Sequence, residues 1–90
     1  MPFKFEGLKV WQLSLDFADK IHVVTRSFPK EEMFSLVQQI KRAADSINLN
    51  IAEGSTGQSN DEFKRFLNYS IRSGTEVVAC LYFSTKKKIY

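Results

Sequence analysis

Apolar residues recur every three or four positions along most of this 90-residue chain. Such spacing places them on one side of an α-helix, and no stretch alternates apolar and polar residues as a half-buried strand does. The pattern predicts three amphipathic helices, over about residues 8–28, 30–53 and 60–83. Their short connections favour antiparallel neighbours, so the sequence predicts an all-α helical bundle.

The first predicted helix carries two adjoining apolar rows. One row consists of Val10, Leu13, Phe17, Ile21, Val24 and Phe28. The other consists of Leu8, Trp11, Leu15 and Ala18. Since one row is enough to pack against a single neighbour, two rows indicate neighbours on two sides. We expect Trp11 to anchor a contact in the core or between subunits.

Residues suited to helix ends mark the predicted boundaries. Pro29 fits the first turn of the second helix, and Gly54 is expected to end that helix in the left-handed conformation. Ser59, with Glu62 three residues later, forms a capping box for the third helix.

Small residues lie on the buried face of the third helix, at Ser70 and Gly74. They would let a neighbouring backbone come close. Because glycine costs about 1 kcal/mol in a helix, packing has to compensate at position 74.

The composition is that of one small domain over residues 1–90, with 43% hydrophobic residues. A chain of this length buries only about 60% of the surface that it exposes when unfolded. A monomer would leave a large apolar patch, so we expect a homo-oligomer. The net charge of +3 permits nucleic-acid binding without requiring it.

Several site classes find no support in the sequence. The single cysteine, Cys80, excludes an internal disulfide, and one histidine with one cysteine does not supply the usual zinc ligands. The four glycines are scattered, so no phosphate-binding loop is present. We expect a cytoplasmic protein with no cofactor, no metal and no membrane segment, because the N-terminus lacks the apolar stretch of a signal peptide.

Four motifs resemble one bacterial family. They are FEGLKVWQ, FPKEEMFSLVQQIKRAADSI, NIAEG and EFKRFLNYSI, in this order along nearly the whole chain. The family comprises the four-helix-bundle proteins first noted in intervening sequences of 23S ribosomal RNA genes. The resemblance implies an up-down antiparallel four-helix bundle in a ring-like homo-oligomer, with a pentamer favoured. It implies no catalytic site.

A similar protein is the accessory factor of diversity-generating retroelements, in which a basic pentamer engages nucleic acid and a reverse transcriptase. This chain departs from the family pattern at Gly7, Asn48 and Leu49. The family also continues with a fourth helix where this chain stops, so we expect three helices and the following loop here. On the side left open, Phe63, Val77 and Leu81, or parts of the Leu8–Trp11–Leu15 row, would be uncovered.

A polar row interrupts the second helix at Ser46, Asn50 and Glu53. One interpretation is a recognition or catalytic cluster. The favoured one is a structural hydrogen-bond network between helices, which Glu76 of the third helix would join. Arg42 or Arg72 would neutralise the carboxylates.

Basic residues form separate clusters that are candidates for nucleic-acid binding: Lys41, Arg42, Lys64, Arg65, Arg72, Lys86, Lys87 and Lys88. The alternative is a solvated surface. Asp45 and Asp61 lie four residues from Lys41 and Arg65, so helical ion pairs would balance part of the charge. Repetition around a ring would turn a weak patch into a broad one.

Other candidate groups favour structural roles. We expect His22 at the edge of a packed face rather than as a general base, and Cys80 as a buried, inert thiol. Tyr69 and Tyr82 are able to stack on bases, but packing is the favoured interpretation.

The sequence therefore predicts a non-enzymatic oligomeric helical protein that binds RNA or DNA through basic patches. The alternative is a structural or protein-interaction scaffold, with a protein partner and no nucleic-acid activity.

Overall fold

The computed structural model describes residues 3–32 and 34–89. Three α-helices account for most of them: α1 over Lys9–Thr25, α2 over Leu36–Ser55 and α3 over Asn60–Lys86. Short 3-10 turns precede α1 at Lys4–Gly7 and α2 at Lys30–Glu32. The described residues contain no strand, so the predicted all-α class is confirmed.

The middle helix, α2, packs against both of its neighbours, whereas α1 and α3 contact each other little. Residues near the start of α2 meet the second half of α3, as in the hydrogen bond between Gln39 and Glu76. Residues near its end meet the start of α3, where Gly54 lies against Phe66. The two helices are therefore antiparallel, and the packing is that of a helical-bundle fragment.

The helix boundaries differ from the predicted ones at both ends of α2. Pro29 opens only a 3-10 turn, in which the Glu32 N–H donates to the Pro29 carbonyl at 3.0 Å. Ser35 then has non-helical angles, with φ −128° and ψ −91°, so α2 begins at Leu36. Met33, which falls within the predicted range of this helix, lies outside the described residues.

Gly54 does not adopt the left-handed conformation that the sequence predicts. It is a helical residue of α2, and no described glycine has a positive φ. In contrast, one of the two hydrogen bonds of the predicted capping box of α3 is present, because the Glu62 N–H donates to the Ser59 hydroxyl at 3.1 Å. Gly54 therefore serves packing, as its contact with Phe66 indicates.

One hydrophobic core joins the three helices. Its buried members are Ala18, Ile21, Phe28, Leu36, Val37, Ile40, Ala43, Ala44, Val77 and Cys80. Val24, Ile47, Leu81 and Ile89 are partly buried against it. Phe28 belongs to the core although α1 ends three residues earlier, at Thr25.

An open face adjoins this core on α1 and α3; we define it by Val10, Leu13, Phe17, Ile71 and Val78, all of which are exposed. On α1 these residues continue the row of the buried Ile21. On α3, Val78 adjoins the partly buried Leu81 on the helix surface. Each row adjoins core positions on its own helix and is left uncovered, as a face that packs against a further helix of a bundle would be.

Of the residues that the sequence predicts to be uncovered, only Leu15 is exposed. Val77 is completely buried as a member of the core, and Phe63 and Leu81 are half-buried. Leu8 and Trp11 are half-buried as well, and only Leu15 of that row is exposed. Across the described residues, no helix is long and apolar enough to cross a membrane.

Candidate nucleic-acid interface

The predicted basic residues lie on the surface. Lys41 is half-buried, and the other seven are exposed. They do not form one patch, because α2 and α3 direct them to different sides of the molecule. Arg42 lies on the surface of α2 that faces away from the core, whereas Lys41 borders α1.

Three of the cations share one face of α3. Arg65, Arg72 and Lys86 are separated by seven and fourteen residues, which are close to whole numbers of helical turns. With a rise of 1.5 Å per residue, Arg72 lies about 10 Å from Arg65 and about 20 Å from Lys86 along the helix. We call these three residues the basic row. Lys64 lies off it, about 80° round the helix from Arg72.

None of the eight basic side chains forms a salt bridge with a described residue. The helical ion pairs expected for Lys41 and Arg65 are absent among the described residues. Asp45 binds His22 of α1 instead of Lys41, with 2.8 Å between Asp45 Oδ1 and His22 Nε2. Arg65 lies over the ring of Phe66, 5.4 Å from its centroid. The cations are therefore available to an external anion.

The three consecutive lysines surround the end of α3. Lys88 has a φ of 58°, and its N–H donates to the Thr85 carbonyl at 3.0 Å. The Ile89 N–H donates to the Ser84 carbonyl at 2.8 Å, so the helix ends in a Schellman motif. Lysines at this position also complement the negative end of the helix dipole, which gives them a structural role besides any binding.

The polar row of α2 takes part in a hydrogen-bond network between helices, but the residues of this network differ from the predicted ones. The Asn50 amide donates to the Ser46 carbonyl at 2.8 Å and to the Ser46 hydroxyl at 2.9 Å. The hydroxyl of Ser73, on α3, donates to that of Ser46 at 3.0 Å. Sequence reasoning missed Ser73, although its place near Ser70 on the small-residue face of α3 was a usable signal.

Both predicted carboxylates lie outside this network. Glu53 is exposed, and its carboxylate has no hydrogen-bond partner among the described residues. It lies about 60° round α2 from Asn50, on the side away from α3. Glu76 instead accepts a hydrogen bond from the Gln39 amide at 3.1 Å. Neither Arg42 nor Arg72 neutralises these groups within the described part of the chain.

The contacts of the remaining candidate residues, a histidine, a cysteine and two tyrosines, indicate structural roles. His22 joins α1 to α2 through Asp45. Burial raises the pKa of the Cys80 thiol, with a further contribution from the Glu76 carboxylate, so the thiol stays protonated at neutral pH. Tyr69 and Tyr82 are both exposed, and Tyr69 packs edge-on against Phe66 with the ring centroids 5.5 Å apart.

The arrangement of the described residues offers little for nucleophilic or metal chemistry. Ser46 and Ser73 bond to each other and to an amide, and no imidazole contacts them. No group of three His, Cys, Asp or Glu side chains within the described ranges is placed to hold a metal ion.

The family model described as 23S rRNA-intervening sequence protein matches residues 6–90. The match covers almost the whole chain, so the protein belongs to this family. No curated protein matches the chain.

Proposed function

We propose that this member of the 23S rRNA-intervening sequence protein family is a non-enzymatic oligomer that binds RNA or DNA through phosphate contacts. The observation that carries the proposal is the set of surface cations that form no salt bridge with another described residue, above all the basic row of Arg65, Arg72 and Lys86. Phosphate groups attract such cations whatever the base sequence, and they release counter-ions on binding. The family description refers to 23S rRNA, which makes RNA the first ligand to test.

The open face supports self-association. Val10, Leu13 and Phe17 on α1 and Ile71 and Val78 on α3 expose apolar side chains beside the core. Clustered apolar surface of this kind is characteristic of contact sites between proteins. We propose a homo-oligomer, with a pentamer as the favoured state from the family resemblance, and a cytoplasmic location. In an oligomer the basic row of each subunit would be repeated, which strengthens binding to a long polyanion.

The same open face favours the second candidate function, a scaffold that binds a protein partner and no nucleic acid. The two candidates differ in their dependence on salt. Phosphate binding weakens steeply as the salt concentration rises, with a slope of about 0.7–0.9 in log K against log [salt] for each phosphate contacted.

The test is fluorescence anisotropy with short labelled RNA and DNA, single- and double-stranded, over about 50–200 mM salt. We expect the variant with Arg65, Arg72 and Lys86 changed to Glu to bind all sequences more weakly, with a slope lower by roughly two to three. Lys20→Glu is the control, since Lys20 is an exposed residue of α1 outside the candidate set. Absence of binding at low salt would refute the nucleic-acid proposal and favour the scaffold.

Light scattering measures the oligomeric state in the same samples. A mass near 10.4 kDa at micromolar concentration would contradict the proposed oligomer. The charge variant should keep the mass of the wild type, because its substitutions lie outside the open face.

A further inference from the structure

A second cationic site lies at the junction of α1 and α2, away from the basic row. A cavity of about 460 Å³ there is lined by residues of both helices and of their connection. Its lining includes Arg26, Lys30 and Lys41, which come from three different parts of the chain. We call it the junction cleft. Its volume is within the range of small-molecule sites in proteins.

The charged groups that line the junction cleft are cationic, although Arg26 also lines a neighbouring cavity together with Asp16, Asp19 and Asp45. Its described lining residues include no Asp or Glu, and none of the three cations forms a salt bridge with a described residue. His22 also lines the cleft, and its ring is engaged by the Asp45 carboxylate at 2.8 Å. Cations around one small cavity repel each other, and an anion bound among them relieves that repulsion.

An aromatic ring borders the same cavity. Phe34 lines the cleft and is 87% exposed, the highest value among the exposed large hydrophobic residues of the described chain. It lies in the turn just before α2 and is not a member of the hydrophobic core. A free aromatic face beside cations is the arrangement that single-stranded nucleic acids use, because bases stack on rings while phosphates meet Lys and Arg.

We propose that the junction cleft binds one nucleotide unit of a single-stranded nucleic acid. Its phosphate lies among Arg26, Lys30 and Lys41, and its base stacks on Phe34. This assignment rests on the proposed nucleic-acid function and adds to it a preference for single strands. A base inside a duplex is not accessible to Phe34, whereas the basic row contacts phosphates of either form.

The test compares single strands with duplexes of the same sequence, by anisotropy with a short labelled RNA. We expect Phe34→Leu to weaken single-strand binding about 5- to 100-fold and to leave duplex binding unchanged, because leucine keeps the apolar bulk but not the aromatic face. Phe34→Trp restores single-strand binding. The exposure of Phe34 makes both variants compatible with folding, which circular dichroism verifies.

A second set of variants, Arg26→Ala and Lys30→Ala, tests the phosphate contacts. Lys20→Ala is the matched control, because it also removes one exposed cation, on α1. We expect the two cleft variants to weaken single-strand binding several-fold more than the control does. An abasic single strand separates the two contacts: it should still respond to Lys30→Ala but no longer to Phe34→Leu.

The outcomes distinguish the two proposals. If the wild type binds single strands but Phe34→Leu and Lys30→Ala behave like Lys20→Ala, the cleft assignment is wrong while the general function stands. If Phe34→Leu weakens single strands and duplexes equally, stacking in the cleft is refuted. If the wild type binds neither form at low salt, both proposals fail.

Discussion

Gly54 of α2 lies directly against Phe66 of α3. A Cβ atom built on Gly54 would lie 2.6 Å from the Cβ of Phe66 and 2.9 Å from a ring carbon of Phe63. Real side chains do not approach so closely, so any larger residue at position 54 pushes α3 away from α2. Because the contact involves the Cβ of Phe66, a rotamer change of that ring does not remove the clash.

We therefore expect Gly54→Ala to destabilise the fold by about 1–3 kcal/mol, since overpacking outweighs the helix-propensity gain of about 1 kcal/mol. Gly74→Ala is the matched control. A Cβ there would meet only the Cδ1 of Ile47, at an ordinary 3.8 Å, so this variant should be more stable by about 0.5–1 kcal/mol. Urea denaturation at fixed protein concentration measures both. Equal effects of the two substitutions would contradict the packing explanation.

The Schellman motif after α3 places a lysine where glycine is preferred. Lys88 has a φ of 58°, and the left-handed region costs a residue with a side chain roughly 1–2 kcal/mol. Lys88→Gly should therefore stabilise the protein by about 1 kcal/mol. Lys87→Gly removes the same charge at a φ of −82°, so it should give no gain. Thermal unfolding of the two variants compares them directly, and a gain in both would point to charge instead of backbone conformation.

The Ser46–Asn50–Ser73 network predicts a difference between two positions of α2, Ser46 and Glu53, that are two turns apart. Ser46→Ala removes a partner of both Asn50 and Ser73, and we expect a cost of about 1–2 kcal/mol. Glu53→Gln should change the stability by less than about 0.5 kcal/mol, because the Glu53 side chain is exposed and outside the network. A double-mutant cycle of Ser46→Ala with Ser73→Ala isolates the interhelical hydrogen bond. Strict additivity would show that this bond contributes nothing.

Cys80 gives a pH-dependent prediction. Burial raises the pKa of its thiol above the ordinary value of 9.0, so the folded protein holds this proton more tightly than the unfolded chain does. The resulting stabilisation is complete below pH 9.0 and is lost as the pH rises through the folded pKa. The difference in stability between the wild type and Cys80→Ala should therefore decrease above that pH. Alkylation of the native thiol at neutral pH should be at least about tenfold slower than in urea; equal rates would show that the thiol is accessible.

Much of the fold could be predicted from the sequence, because the periodicity of apolar residues is a local property. Spacings of three and four residues identified three helices and no strand, and Ser59 with Glu62 located the start of α3. The stripes of α1 and α2 likewise contain most of the buried core. The start of α2 was harder to predict from the sequence, because Pro29 is compatible with a 3-10 turn as well as with the first turn of an α-helix.

Within the candidate sites, the sequence identified residue types and the structure decided their partners. The sequence predicted Lys41 as the partner of Asp45, and only the packing of α1 against α2 brought the His22 imidazole within 2.8 Å instead. The junction cleft depends in the same way on Arg26, Lys30 and Lys41, which no sequence spacing connects.

By itself, the sequence determined the helical class, the amphipathic faces and the excess of basic residues, since each follows from local order or composition. Only the tertiary structure decided that Gly54 makes room for Phe66, that Ser73 replaces Glu53 in the polar network, and that Val77 is buried. The physical reason is that contacts between helices depend on their relative rotation and register. A shift of one residue turns a helix by about 100° and exchanges buried for exposed positions.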